Sequence, residues 1–102
     1  MLDIPLTVVA TATREETVEI AALYKRKLAL RELVIAMNRM SPQEVHDIYE
    51  RVVRDLGETT WRFDRWWVEA TRKYRLNGYH EIDFETGNIS KTATGDDEKK
   101  VG

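Results

Sequence analysis

The sequence predicts a mainly α-helical protein, in which a long antiparallel helical hairpin precedes a short β-strand or hairpin segment and a disordered tail. Three observations predict this fold class. Two long stretches of the 102-residue chain repeat apolar side chains at intervals of three and four positions, as amphipathic helices do. A link of only a few residues joins them, which forces neighbouring helices to run antiparallel. Beyond them, apolar and acidic residues alternate as in a half-buried strand.

The first helix is predicted over residues 13–38. Thr13 and Glu16 have the spacing of a capping box, in which each side chain accepts a hydrogen bond from the backbone amide of the other residue. The apolar stripe that follows consists of Ile20, Leu23, Leu30, Val34 and Met37. Before this helix, the β-branched residues within 7–9 predict a short strand or an extended arm.

The second helix is predicted from Ser41 to about Leu76. Ser41 is a favourable N-cap, Pro42 suits the first helical position, and Glu44 can bond back to the cap. The apolar stripe of this helix passes through Val45, Tyr49, Val52, Leu56, Thr59, Phe63, Trp66 and Ala70. Gly57 lies inside the helix, where glycine costs roughly 1 kcal/mol relative to alanine, so we predict that it marks a close approach of another backbone.

The C-terminal part predicts a short half-buried strand over residues 79–89. Ile82 and Phe84 alternate with acidic residues up to a turn at Thr86-Gly87-Asn88. We predict that residues 1–90 form a single helical-hairpin domain. Residues 91–102 contain almost no apolar side chains, which predicts a disordered tail.

Composition excludes several classes of protein. Sixteen Lys and Arg against eighteen Asp and Glu give a net charge of −2, so no overall basic field attracts nucleic acid or anionic lipid. The chain has no cysteine, which removes disulfides and thiolate nucleophiles and is compatible with the cytoplasm, where we expect the protein. The apolar stretch at residues 4–10 is too short to span a bilayer, so we predict neither a membrane span nor a targeting signal.

All three tryptophans of the chain lie within residues 61–67. The apolar stripe passes through Phe63 and Trp66, which leaves Trp61 and Trp67 on its flanks, where large aromatic side chains typically contact a partner. We therefore predict a non-catalytic adaptor that binds a protein or a peptide. The predicted partner-binding residues are Trp61, Trp67, Tyr74, Tyr79, Glu81, Asp83 and Glu85.

The acidic residues of the predicted strand admit more than one interpretation. Glu81, Asp83 and Glu85 would share one face of the strand, where they could attract a basic peptide or a hard cation. Charge on an edge strand also protects the edge from aggregation. An exposed edge, in addition, offers main-chain hydrogen bonds to an extended peptide.

The alternative prediction is a small nucleic-acid-binding protein or a regulatory protein of the kind that phages encode. The second helix interleaves aromatic rings with arginines, a mixture that proteins binding single-stranded nucleic acid use. The residues for this alternative are Arg62, Arg65, Arg72 and Arg75. Ion pairs of these arginines with acidic residues one helical turn away explain the same pattern without a ligand.

The chain carries no combination of residues typical of a catalytic site, so we predict no enzymatic activity and no cofactor. His46 and Glu50 are one helical turn apart, but no third ligand completes a site, and we predict no bound metal. A two-helix hairpin with one strand buries little apolar surface. We therefore expect the chain to form a homodimer, such as a four-helix bundle, or to dock on a larger protein.

Several phrases of the sequence resemble a known bacterial family. They are residues 23–33 (LYKRKLALREL), residues 55–59 (DLGET), Trp66-Trp67 and residues 81–86 (EIDFET). In this order they are similar to the CXXX repeat peptide modification system protein family, over roughly residues 14–89. The resemblance implies a non-catalytic accessory component of a system that modifies ribosomally made peptides, which acts as an adaptor between the precursor peptide and the modifying enzyme.

Overall fold

The computed structural model describes residues 7–92 and confirms the mainly α-helical class. The elements in chain order are β1 (Val8–Thr11), α1 (Arg14–Met37), α2 (Pro42–Tyr74), β2 (His80–Ile82) and β3 (Asn88–Lys91). The described residues form two compact units. The hairpin unit comprises residues 19–67, and the sheet unit comprises residues 7–18 together with residues 68–92.

The first helix begins at the predicted capping box. The Thr13 hydroxyl accepts a hydrogen bond from the Glu16 amide at 3.1 Å, and the Glu16 carboxylate accepts one from the Thr13 amide at 2.8 Å. Two backbone donors that have no partner inside the helix are satisfied in this way. The helix ends at Met37, one residue before the predicted end.

The second helix also begins as predicted. The Ser41 amide donates to the Glu44 carboxylate at 3.0 Å, and the Glu44 amide lies 3.4 Å from the Ser41 hydroxyl. The helix ends at Tyr74, two residues earlier than predicted. Arg75 takes the left-handed conformation, with a φ of 56°, and the Leu76 amide donates to the Thr71 carbonyl at 3.0 Å. This is the Schellman pattern, here without the glycine that usually marks it in a sequence.

In the hairpin unit, the two helices run antiparallel, as the short link predicts. Met37, Val45 and Val52 form the buried core cluster, against which Leu30 and Val34 pack. These residues belong to the predicted apolar stripes, so the three- and four-residue spacing identified the packed side of each helix.

The expectation for Gly57 is wrong. A Cβ atom built on this residue would meet nothing within 4 Å, and the helix continues through the position without a break. Gly57 is exposed, so no neighbouring backbone requires a glycine there.

We therefore expect Gly57→Ala to stabilise the protein by about 1 kcal/mol, because alanine loses less conformational freedom than glycine in a helix and meets no obstacle here. Urea unfolding followed by circular dichroism measures the change. Gly57→Ser is the matched control, since serine has a lower helix propensity and should give a smaller gain. A loss of stability in Gly57→Ala would show that the position is more crowded than the structure indicates.

The three strands form one antiparallel sheet in the order β1-β3-β2. Ile89 in β3 is fully buried and lies between Ala10 of β1 and Ile82 of β2 in the pairing register. The pairing of β1 shifts between Val8 and Ala10, as at a β-bulge. Of the two alternatives predicted for residues 7–9, a strand or an extended arm, the structure contains a strand, which extends to Thr11.

The prediction of one strand over residues 79–89 needs correction. β2 ends at Ile82, and the chain turns before the predicted position, because the Asp83 amide donates to the Asn88 carbonyl at 2.9 Å and the Gly87 amide donates to the Asp83 carbonyl at 2.7 Å. Phe84 lies in this turn and not in a strand.

The boundary of the predicted tail also moves. Lys91 is the last residue of β3, and the Thr92 amide donates to the Tyr79 carbonyl at 2.8 Å. The rest of the predicted tail, residues 93–102, lies outside the described residues.

Candidate partner-binding surfaces

The strand β2 is an edge strand of the described sheet, because it pairs with β3 on one side and with no described strand on the other. The Tyr79 carbonyl accepts a hydrogen bond from the Thr92 amide, just after β3, and the Asp83 amide donates to the carbonyl of Asn88 in β3. Successive residues of an antiparallel strand point their backbone groups alternately toward and away from the neighbouring strand. The amides and carbonyls of His80 and Ile82 consequently point away from β3, along the outer edge.

The predicted acidic face is divided between the strand and the turn. Glu81 is exposed and pairs with Ser90 in the register. Asp83 and Glu85 belong to the turn, where one Asp83 carboxylate oxygen accepts a hydrogen bond from the Glu85 amide at 2.8 Å. The Asp83 side chain thus stabilises the turn, as aspartate commonly does. All three carboxylates lie in the sheet unit and are exposed.

Tyr79 is the most exposed of the large hydrophobic side chains among residues 7–92, at 61 %. It immediately precedes β2, and its carbonyl holds the Thr92 amide. The His80 ring lies with Nδ1 3.1 Å from the Gly78 carbonyl oxygen. An exposed aromatic ring therefore stands at one end of the open edge.

Tyr74, another predicted partner-binding residue, has a partner within the sheet unit. Its hydroxyl donates to Glu16, and the Lys73 ammonium lies 2.7 Å from the other oxygen of the same carboxylate. The ammonium also lies 5.2 Å from the centroid of the Tyr74 ring. These contacts join the end of α2 to the first turn of α1 and give Tyr74 a structural role.

The carboxylate of Glu16 is strongly stabilised in its charged form. Partial burial alone would raise its pKa, but the hydrogen bonds from Lys73, Tyr74 and Thr13 outweigh this effect and lower the pKa from 4.5 to about 2. The hydrogen bond with Glu16 raises the pKa of Lys73 and that of Tyr74. The sequence predicts Glu16 only as a capping residue, because its two other partners lie more than fifty positions away.

Trp61 and Trp67 belong to the hairpin unit. Trp61 is 58 % exposed, as its place beside the apolar stripe predicts, and the Arg65 guanidinium lies 5.2 Å from the centroid of its ring. Trp67 is half-buried and meets the buried Trp66 edge to face, with ring centroids 5.0 Å apart. Trp61 is therefore available to a partner, whereas Trp67 contributes largely to packing.

The arginines of the nucleic-acid alternative are all exposed. Arg62 and Arg65 lie on α2 in the hairpin unit, and Arg72 lies on the last turns of α2 in the sheet unit. Arg75 ends the helix in its left-handed conformation. This alternative stays a prediction.

A groove of about 360 Å³ lies beside the link between the helices. Met37, Met40, Val45 and Tyr49 contribute its apolar walls, and His46 lines it as well. Residues 7–92 hold no cluster of three or more histidine, cysteine, aspartate or glutamate side chains that could bind a metal ion. Neither of the two helices in this part of the chain combines the length and the apolar character needed to cross a membrane.

The fold and these surfaces define a small helical-hairpin protein with a three-stranded antiparallel sheet. Comparison of the chain with models of known families, with curated proteins and with solved structures gave no match. The resemblance to the CXXX repeat peptide modification system protein family therefore stays a prediction.

Proposed function

We propose that the protein is a non-catalytic adaptor that binds an extended segment of a peptide or protein along the outer edge of β2. The observation that carries this proposal is the direction of the backbone hydrogen-bonding groups along the outer edge of β2. His80 and Ile82 direct their amides and carbonyls away from β3, beside the exposed ring of Tyr79. These groups have the spacing that an added strand requires.

The chemistry of the edge favours a basic segment with apolar side chains. Main-chain hydrogen bonds to an edge supply affinity, and the alternating side chains of the added strand supply specificity. Glu81 is exposed on the strand itself, and Glu85 is exposed in the adjoining turn, so both favour lysine or arginine in the bound segment. The ring of Tyr79 offers an apolar contact with a polar tip.

Trp61 supports a role in binding from the hairpin unit. Trp61 exposes a large apolar ring to water. Tryptophan is enriched among the interface residues that contribute most of the binding free energy. The resemblance implied by the sequence supports a precursor peptide as the bound segment. The lack of cysteine supports a cytoplasmic location.

The test selects random dodecapeptides displayed on phage against the full chain and then compares His80→Pro with His80→Ala. Proline removes the outward amide of His80, whereas alanine removes the ring and keeps the amide, so only the proline variant blocks an added strand. We expect selected peptides to bind His80→Pro at least about tenfold more weakly than wild type. His80→Ala should retain binding within a few-fold.

Circular dichroism and thermal unfolding first establish that both variants fold. Equal affinity of the selected peptides for the wild type and for His80→Pro would contradict binding at the edge. Loss of binding only in Trp61→Ala would move the site to α2 of the hairpin unit.

A further inference from the structure

The two outer edges of the described sheet differ in regularity. In the order β1-β3-β2, β1 and β2 each pair with β3 alone among the described strands. The register of β1 shifts between Val8 and Ala10, and a bulge of this kind twists an edge away from a further strand. The register of β2 runs from His80 to Ile82 without a shift. The edge of β2 is therefore the more regular template for an added strand.

The pairing register also assigns the side chains of β2 to the two faces of the sheet. Ile82 pairs with Ile89, which is fully buried, so both lie on the inner face. His80 lies on the same face, because side chains alternate along a strand. Glu81 pairs with Ser90 on the opposite, outer face, where Glu81 is exposed. A segment added beside β2 would consequently meet different chemistry on each face.

On the inner face, Ile82 favours an apolar neighbour in the added strand. Ile82 is half-buried, since Ile89 flanks it on the β3 side and no described strand flanks it on the other. The facing residue of an added strand would place its Cβ atom about 4.5–5.5 Å away. An apolar side chain there removes further apolar surface of Ile82 from water. His80 is half-buried as well, so an apolar residue that faces its ring makes a similar contact.

On the outer face, Glu81 and Tyr79 together favour arginine. The Tyr79 carbonyl accepts a hydrogen bond from the Thr92 amide, so the pairing with the β3 side includes Tyr79, which shares the face of Glu81. A residue that faces Glu81 in the added strand is a diagonal neighbour of Tyr79, within reach of a long side chain. A guanidinium can donate two hydrogen bonds to the carboxylate and stack on the ring, whereas an ammonium is a compact point charge. Arginine therefore suits both groups better than lysine.

Lys91 adds to the difference between the two faces. It is the only lysine or arginine in the three strands, and it pairs with His80, which places it on the inner face. A basic residue of the added strand would be near this like charge on the inner face but not on the outer face. The inner face therefore disfavours a second cation, while Glu81 attracts one on the outer face.

We infer that the segment bound at the β2 edge alternates apolar residues and arginine. An arginine faces Glu81 and Tyr79 on the outer face, and the apolar residues on either side of it face His80 and Ile82 on the inner face. The alternation holds for a parallel and for an antiparallel segment, since successive side chains point to opposite faces in both. This pattern rests on the proposed function, because it specifies which segment the edge binds.

Two fluorescein-labelled peptides of identical composition test the pattern. Valine and arginine alternate in SGVRVRVSG but not in SGVVVRRSG, and fluorescence anisotropy measures the affinity of each for the full chain. We expect the alternating peptide to bind at least about fivefold more tightly, because the other must place an arginine on the inner face or a valine opposite Glu81. Equal affinities, with both lowered by His80→Pro, would overturn the pattern and leave the edge as the binding site.

Charge reversal at Glu81 tests the pairing on the outer face. Glu81→Arg should weaken the binding of SGVRVRVSG by about tenfold and strengthen that of SGVEVEVSG by a similar factor, since the facing charges repel in the first case and attract in the second. Glu85→Arg is the matched control, because it makes the same change of net charge in the exposed turn beyond β2. It should change either affinity by no more than about threefold. Circular dichroism checks that both variants fold, and equal effects of the two would overturn the pairing with Glu81.

A lysine peptide, SGVKVKVSG, tests the contribution of Tyr79. The wild type should bind it about threefold more weakly than SGVRVRVSG. Tyr79→Leu should reduce this difference, because leucine keeps an apolar side chain but lacks the aromatic ring that attracts a guanidinium. A preference for arginine that is undiminished in Tyr79→Leu would overturn the role of the ring.

Failure of the binding site itself gives a different result from failure of the pattern. Absence of binding by all four peptides up to millimolar concentration would contradict both the edge site and the pattern. Binding that His80→Pro leaves unchanged would do the same, because an added strand needs the outward amide of His80.

Discussion

Gly87→Ala is expected to destabilise the protein by roughly 3 kcal/mol, through backbone strain together with a steric clash. Gly87 is buried and has a φ of 81°, a conformation that side chains with a Cβ atom disfavour. A Cβ atom there would lie 2.7 Å from the Thr17 hydroxyl oxygen and 2.9 Å from the Ala12 carbonyl oxygen.

Neither neighbour of Gly87 can move away easily. The Ala12 amide donates to the Gly87 carbonyl at 2.8 Å, which holds the two backbones together. The Thr17 hydroxyl donates to the Thr13 carbonyl at 2.8 Å, and Thr17 is buried in the first turns of α1. The added methyl group must therefore displace the turn, and with it the start of β3.

Gly78→Ala is the matched control for this prediction. Gly78 also has a positive φ, at 91°, but its added Cβ atom would meet only the Lys91 side chain, at an ordinary distance of 3.6 Å. Its cost is the backbone strain alone, about 1–2 kcal/mol. Urea unfolding of both variants separates the two contributions. A cost in Gly87→Ala no larger than that in Gly78→Ala would show that the close contact with Ala12 is absent.

The helices could be predicted because their signals are local. The two capping boxes at Thr13 and Ser41 are short phrases whose hydrogen bonds join residues three positions apart, and the structure contains all four bonds. The end of α2 could not be predicted in the same way. Arg75 adopts the left-handed conformation that glycine usually supplies, while the visible Asn77-Gly78 signal lies further on.

The sheet was only partly predictable, because its pairing is not local. The alternation of Ile82 and Phe84 with acidic residues continues through the turn, so it concealed the end of β2 at Ile82. The central position of β3 depends on β1, whose residues lie at the other end of the sequence. No local pattern carries that information.

In the candidate surfaces, too, features that depend on nearby residues could be predicted, whereas contacts between residues distant in sequence could not. The exposure of Trp61 follows from its place on the helical wheel, which the sequence gives directly. The role of Tyr74 could not be predicted, because Glu16, which accepts its hydroxyl, is 58 positions away. Only the packed structure shows that one carboxylate serves the cap of α1 and the end of α2.

Removal of the charge of Glu16 is the second substitution with a large expected effect on stability. Glu16→Gln is expected to lower the free energy of unfolding by roughly 1–2 kcal/mol at neutral pH. The lowering of the pKa of Glu16 from 4.5 to about 2 corresponds at most to about 3 kcal/mol. The smaller figure is appropriate because the side chain of Lys73 is 54 % exposed, and solvent screens its charge.

The sign of the pH dependence follows from the direction of the shift. Because the pKa of Glu16 is lower in the folded state than in the unfolded state, its contribution is fully present above pH 4.5 and is lost as the pH falls toward 2. Thermal unfolding of the wild type and Glu16→Gln across this range should show their stabilities converge near pH 2. Glutamine keeps an acceptor for the Thr13 amide, so the variant removes the charge while the cap remains.

Glu15→Gln separates this network from general charge effects. Glu15 lies in the same first turn of α1, where the helix dipole also stabilises a carboxylate, but its side chain is exposed. Its substitution should cost only a few tenths of a kcal/mol. If Glu15→Gln and Glu16→Gln lost stability equally and showed the same acid profile, the dipole alone would explain both results. A loss confined to Glu16→Gln would instead establish that Lys73 and Tyr74 fasten the end of α2 to the start of α1.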